Sequence, residues 1–223
     1  MEVARRPRAF VRVAGPDARD YLQRMVSNDV EALGVGDSCP ALLLTAKARL
    51  IAPLVVWRRA EDDYLLFTEP ELGEQVRMNL TRMRLRARCE VEPEEHESAL
   101  VFGGDGIATD FPGASEVLDA GLEPTLSDEE LELRRIEAGV PRWGRELDDA
   151  ILPAEAGLDE THVSFTKGCY PGQEPIARLH YRGHVNRKLQ VVELDDETAV
   201  ERVTSRATRP DGSVVALAYV RTR

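Results

Sequence analysis

Cysteine is scarce in this chain: its 223 residues hold three, at positions 39, 89 and 169. The number is odd, and no two have the spacing of a disulfide framework or a zinc module, so a stapled secreted scaffold is not indicated. A reducing cytoplasm is the expected compartment. Long apolar runs are also missing. None approaches the roughly 20 residues of a membrane-spanning helix. The opening "MEVARRPRAFVRVAG" is charged and has no apolar centre, so it is not expected to be a secretory signal.

Positive net charge is lacking as well. Twenty-nine basic residues face 40 acidic ones, giving −11 and an isoelectric point near 5.0. Such a field repels nucleic acid and anionic lipid, and neither is expected as the main partner. Familiar nucleotide signatures are absent too. "GGDG" (103–106) is not followed by the Lys-Ser/Thr of a phosphate loop and lacks the dinucleotide spacing, so it reads as a turn. No Ser-His-Asp arrangement stands out.

The apolar content is ample at 43%, enough for one large domain or two to three small ones. "AFVRVAG" (9–15) alternates like a strand, and "PDARDYLQRMV" (16–26) follows as a helix with Pro16 in its first turn. Residues 41–59 read as two strands joined near Lys47, with Pro53 marking a bulge or an edge. Residues 63–69 read as a strand, 70–84 as a helix and 85–93 as a returning strand. Ser127 and Glu130 give the clearest helix a capping box over 126–139, and Gly139 with Pro141 ends it. Residues 184–195, 200–208 and 212–223 read as short strands of a small all-β unit, with "RPDGS" as a turn.

Chemistry concentrates in "FTKGCYPGQEPIARLHYRGHVNRKL" (165–189). Pro171 and Gly172 suit the centre of a turn, and "QEPIARLHY" can follow as a helix that tolerates Pro175 in its first turn. Cys169 then lies just ahead of a helix N-terminus, with Lys167 two residues back. Both features favour thiolate. One reading is a reactive or metal-binding thiol; the other is a small buried hydrophobe. Cys39 and Cys89 lie in apolar or strand contexts and read as packing residues. Glu137 falls in the last turn of its helix, against the macrodipole, at a cost of roughly 0.3–1 kcal/mol. A carboxylate there can accept two parallel N–H bonds from a planar heterocycle, or it can be a solvated surface acid. Arg178, Arg182, Arg187 and Lys188 could hold a polyanionic tail or pair with the protein's own acids. His180 and His184 are four apart, but Gly183 interrupts the helix between them, so no zinc site is expected.

"KGCYPGQEPIAR" (167–178) resembles the signature of the YgfZ-type folate-binding proteins, Lys-Gly-Cys-Tyr-x-Gly-Gln-Glu followed by Arg. Lys167, Gly168, Cys169, Tyr170, Gly172, Gln173, Glu174 and Arg178 occupy its fixed positions. "VRVAGPDARDYLQRMVSNDV", "RRIEAGVPRWGRELDDAILPAEAGL" and "VERVTSRATRPDGSVVALAYVR" are similar to the family's N-terminal, middle and C-terminal segments. The resemblance implies an α+β fold like the glycine-cleavage T-protein, a ring of two lobes (1–183) with a small C-terminal β-barrel (184–223). It implies tetrahydrofolate or a one-carbon derivative as ligand. Glu137 would hold the pterin, with Tyr170, Gln173, Glu174 and Arg178 as further binding residues and Cys169 with Lys167 as the reactive pair. Iron–sulfur client or assembly proteins would be the partners. One departure stands out: where T-proteins place a catalytic aspartate, this chain has Ala52 and Pro53, which cannot relay a proton. The implied function is therefore folate-dependent support of iron–sulfur clusters. A transferase with displaced catalytic groups and a pure docking scaffold remain as alternatives.

Overall fold

The computed structural model describes residues 1–194 and 202–222. Three antiparallel sheets organise them. The first has five strands in the order β3 (Ser38–Leu44), β4 (Leu50–Ala60), β5 (Asp63–Thr68), β2 (Ala9–Ala14) and β6 (Glu90–Glu94). Helices α1 (Ala18–Met25) and α2 (Gly73–Met83) cover one face of it. Alternation decides which residues go inward: Val11, Val13, Tyr64 and Leu66 meet Leu22, Val26, Val76 and Leu80 in the main core. Burying a side chain such as Leu22 stabilises by about 1.5–3 kcal/mol. Tyr21 on α1 donates its hydroxyl proton to the Leu80 carbonyl on α2 at 2.5 Å, locking the two helices together.

Pro53 sits inside β4 but ahead of the stretch that pairs with β5, which begins at Val55. The missing N–H is tolerated there, and Thr68 donates its hydroxyl to the Pro53 carbonyl at 2.9 Å. The strand expected over 85–93 is shorter than its apolar pattern suggests. It begins at Glu90, because Leu85 takes a left-handed conformation at φ 51° and turns the chain.

The second sheet runs β1 (Glu2–Arg5), β7 (Ser98–Phe102), β9 (Ala114–Leu118), β8 (Ile107–Ala108). The very first residues therefore pair with a strand about a hundred positions away, Val3 opposite Val101. Helix α3 (Asp128–Glu137) starts at the expected capping box, with Ser127 Oγ accepting from the Glu130 N–H at 3.2 Å and Glu130 Oε2 from the Ser127 N–H at 2.8 Å. Helix α4 spans Gln173–Arg182.

The third sheet corrects an expectation. Instead of a closed barrel, the described residues form an open three-stranded sheet, β10 (Arg187–Glu193), β12 (Val214–Arg221), β11 (Arg202–Thr208). Three strands are too few to close on themselves. The inner face is covered instead by α3, where Ile136 and Leu133 pack on Val215 and Leu217. Asp195, Val200, Glu201 and Arg223, at the ends of the expected strands, lie outside the described residues.

Candidate functional site

The signature loop is anchored by its lysine. Lys167 is buried, and its ammonium donates to the carbonyls of Gln23, Val26 and Asn28 at 2.6, 2.7 and 2.7 Å. These carbonyls cluster at the C-terminal end of α1, where the helix dipole is negative and its last C=O groups lack helical partners. The neighbouring "SND" joins the same knot. Ser27 Oγ donates to the His162 carbonyl at 2.6 Å and accepts from the Leu42 N–H at 2.8 Å. Asn28 Nδ2 donates to the carbonyls of Pro40 and Thr161 at 2.7 and 3.2 Å. The N-terminal segment and the signature, about 140 positions apart, are one structural unit. Burial pushes the Lys167 ammonium down to about 8, against the opposing charges of Asp29 and Glu31. With all three N–H bonds engaged by carbonyls, Lys167 works as a positioning group for the loop.

Cys169 is exposed at the apex of that loop. Tyr170 turns back into the core, and the Lys167 ammonium lies 5.5 Å from its ring centroid. Burial raises the Tyr170 hydroxyl to about 12, so it stays protonated. Gly172 then takes φ 84°. A Cβ at this position would meet the Thr45 carbonyl oxygen at 2.7 Å and Ala48 Cα at 3.0 Å, in the β3–β4 turn. Only glycine satisfies both the left-handed turn and that close approach.

Helix α4 carries the next residues. Glu174 and Arg178, one turn apart, line a cavity of about 570 Å³ with Asp159, Leu152, Pro153, Ile176, Leu179 and Arg182. Apolar walls with two acids and two guanidiniums suit a planar, partly polar ligand with an anionic end. Gln173 is half-buried at the helix start. Behind the helix, Phe165 stacks on His180 at 3.9 Å between ring centroids. Since α4 ends at Arg182 and Gly183 is extended, His184 does not share a helical face with His180.

Glu137 lies elsewhere. It is exposed, does not line the α4 cavity, and accepts from Arg209 Nε at 2.6 Å, while the same guanidinium reaches Glu193 at 2.8 and 2.9 Å. The structure thus groups Lys167, Cys169, Tyr170, Gln173, Glu174 and Arg178 along one loop and helix, and places Glu137 with Arg209 in the β11–β12 turn. Cys39 and Cys89 are half-buried and buried, with burial pushing the Cys39 thiol up to about 12. Ala52 is fully buried in β4, and Pro53 is buried beside it, so that strand offers no carboxylate at either position.

Sequence reasoning missed a second polar hub. Glu146 is fully buried, and it accepts from Arg135 Nη1 and the Arg142 N–H at 3.0 Å each and from Ser205 Oγ at 2.6 Å. It also missed a smaller cavity of about 290 Å³, lined by Arg5, Arg6, Glu69, Phe111, Leu131 and Arg142. Burial raises the Glu69 carboxyl there, against nearby Arg8, Arg6 and Arg142. The one signal for the hub was Arg135 itself, a charged residue on the helix stripe that also carries Leu131.

Residues 8–104 match the GCVT N-terminal domain family. The chain is 28% identical over 245 residues to the iron-sulfur cluster assembly factor IBA57 homolog of Pyricularia oryzae, covering 96% of this chain and 62% of the relative. It is 27% identical over 223 residues to the tRNA-modifying protein YgfZ of Klebsiella pneumoniae, covering 81% of this chain and 68% of the relative. Against the curated relatives it matches, the chain spans from half to three quarters of their length. The crystal structure of glycine cleavage system aminomethyltransferase T from Bartonella henselae superposes with a TM-score of 0.75 at 19% identity, over 96% of this chain and 76% of that one. The chain is thus similar to the YgfZ and IBA57 proteins, its residues 8–104 match the GCVT N-terminal domain, and it has the fold of a glycine-cleavage T protein.

Proposed function

We propose that this chain is a tetrahydrofolate-binding accessory protein that supports the assembly or repair of iron–sulfur clusters in client proteins. The observation that carries this is the pairing of an exposed thiol with a cavity on one continuous element. The loop holding Cys169 is fixed by Lys167 and runs directly into α4, whose Glu174 and Arg178 line the 570 Å³ space. In this reading the flat pteridine and benzoyl groups lie against Leu152, Pro153, Ile176 and Leu179. Arg178 and Arg182 neutralise the terminal carboxylates, and Glu174 and Asp159 accept from ring N–H groups. Cys169, open to solvent, is the group a client's iron or disulfide can reach. Folate supplies a one-carbon carrier at the site. The chain's own residues orient it and present the thiol.

Glu137 is the competing pterin anchor, since the family resemblance assigns it that role. It would have to release Arg209 to take it. Calorimetric titration with tetrahydrofolate separates the two. Arg178→Ala is expected to weaken binding by roughly tenfold, which corresponds to about 1.4 kcal/mol, and Glu137→Ala to leave it near wild type. The reverse result moves the site to the end of α3. Absence of binding by the wild type rejects the folate reading. In a cell lacking this protein, Cys169→Ser is expected to fail to restore iron–sulfur enzyme activity while folate affinity is retained.

A further inference from the structure

One surface of the first lobe has no part in the cavity or the signature loop. Residues 77–88, "RMNLTRMRLRAR", contain five arginines and no acid in a chain of net charge −11. Arg77 pairs with Glu74, Arg88 pairs with Asp17, and Arg84 donates to the Cys89 carbonyl. Arg82 and Arg86 are exposed, and among the described residues neither side chain has a hydrogen-bond or ion-pair partner. Two large apolar side chains lie on the same stretch: Met78 is 54% exposed and Leu85 87%, whereas Met83 follows Val76 and Leu80 on the core-facing stripe of α2.

Leu85 breaks two local rules at once. It shows almost its whole side chain to water, and it holds φ at 51°, a region that favours Gly, Asn and Asp over branched apolar residues. The turn is closed by the Ala87 N–H on the Arg84 carbonyl at 2.9 Å, so the conformation is fixed by the backbone and not by any packing of the side chain. Strain without a contact to justify it points to use outside the fold. Met78 and Arg82 are one turn apart on α2 and share its exposed side with the Leu85–Arg86 tip. The result is a narrow strip of adaptable apolar groups edged by free guanidiniums.

We propose that this strip docks an acidic amphipathic helix of a partner protein. Leu85 and Met78 take its apolar stripe, and Arg82 and Arg86 take carboxylates along its edge. A methionine suits a surface that must fit varied apolar side chains. A bilayer fits less well. It is a plane, and docking on it would bring the acidic surroundings, beginning with exposed Glu71 and Glu74 at the other end of the helix, within a screening length of anionic headgroups. A nucleic acid gains nothing from Leu85 or Met78. The strip is independent of folate binding and stands if that reading fails.

The test uses the full chain and a dye-labelled Glu/Leu amphipathic peptide about five helical turns long, read by fluorescence anisotropy. A Lys/Leu counterpart, phosphatidylserine vesicles and bulk tRNA run in parallel. The Glu/Leu peptide is expected to bind and the Lys/Leu peptide not to. Leu85→Asn and the pair Arg82→Glu with Arg86→Glu are each expected to weaken binding at least roughly tenfold, as loss of an interface anchor does. Leu85→Asn carries a second signature: asparagine accepts the left-handed conformation, so the melting temperature holds or rises while binding falls. Three results would overturn the proposal: no binding of the Glu/Leu peptide, equal binding by these variants, or capture of vesicles or tRNA through the same residues instead. A fall in melting temperature with Leu85→Asn overturns it too, since Leu85 would then be a packing residue.

Discussion

Two buried cations hold this molecule together, and they do it by different chemistry. Lys167 fastens the signature loop to the end of α1, and Arg135 fastens α3 to the third sheet. Their exposure is nearly equal, 8% and 7%. Lys167 meets only neutral carbonyls. Arg135 meets two carboxylates, Glu132 at 2.8 Å and Glu146 at 3.0 Å, plus the Val140 carbonyl and Ser205 Oγ. The shapes fit the tasks: a compact ammonium with three donors suits three converging carbonyls, and a planar fork suits carboxylates. The electrostatic outcomes differ accordingly. Nothing at Lys167 fully compensates its burial, so its proton is held loosely, whereas Arg135 is held charged by its acids.

The comparison is tested most severely at Glu146. Glu146→Ala leaves Arg135 buried with one carboxylate gone and strands the Arg142 N–H and the Ser205 hydroxyl. A loss of about 3–5 kcal/mol is expected, the usual consequence of removing one partner of a buried pair, measured by urea unfolding. Lys167→Met removes a cation together with its own desolvation cost and leaves three carbonyls short of a donor. The expected loss is smaller, about 1–3 kcal/mol. It also has a pH signature. The folded-state pKa of about 8 lies below the ordinary lysine value of 10.5, so between those limits the unfolded chain binds more protons. Stability from this group therefore rises with pH across that window. The gap between wild type and Lys167→Met is expected to be flat below pH 8 and to widen above it. A gap that narrows would mean the carbonyls hold the proton more strongly than burial expels it.

The two hubs also differ in how far the sequence announced them. Lys167 stood in a spaced motif, and its importance was legible there, although as a companion of Cys169. That its partners are the carbonyls of residues 23, 26 and 28 was not legible, because a backbone acceptor leaves no trace in residue type. No motif linked the two members of the Arg135–Glu146 hub. Within the segment that resembles the family's middle part, attention fell on Glu137, which pairs with Arg209 at the surface, and not on Arg135 two residues before it, while the buried acid lies nine residues after Glu137 in an ordinary charged stretch. Helix α3 was readable because its capping box is a local device, and α4 because Pro171, Gly172 and Pro175 leave little choice. Strand β1 escaped notice, since four residues with one apolar pair make no pattern until β7 arrives across a hundred positions. The barrel was an expectation of the family resemblance, and the strand pattern itself pointed only to a small all-β unit. Three strands and a covering helix bury the same apolar face without closure.

A third joint, at His96, gives the smallest effect and the opposite pH sign to Lys167. Its Nδ1 lies 2.6 Å from Asp119 Oδ2 and its Nε2 2.9 Å from Glu94 Oε2, tying the end of the first sheet to the end of the second. Burial opposes the charged ring, but the hydrogen bonds it donates to Asp119 and Glu94 outweigh it and raise the pKa above the ordinary 6.5. The folded state then binds the proton more tightly than the unfolded chain. The contribution is complete below pH 6.5 and is lost as pH rises through the raised folded value. Because Asp119 is more than half exposed, solvent screens the pair and the size is expected to be about 1 kcal/mol or less. His96→Gln should therefore cost stability at pH 6 and almost nothing at pH 9, where the Lys167→Met gap is growing. Denaturation of both variants across that range checks the contrast directly. If the two gaps move in the same direction, the charge of the partners does not decide how these joints titrate, and the distinction between carbonyl-held and carboxylate-held cations fails.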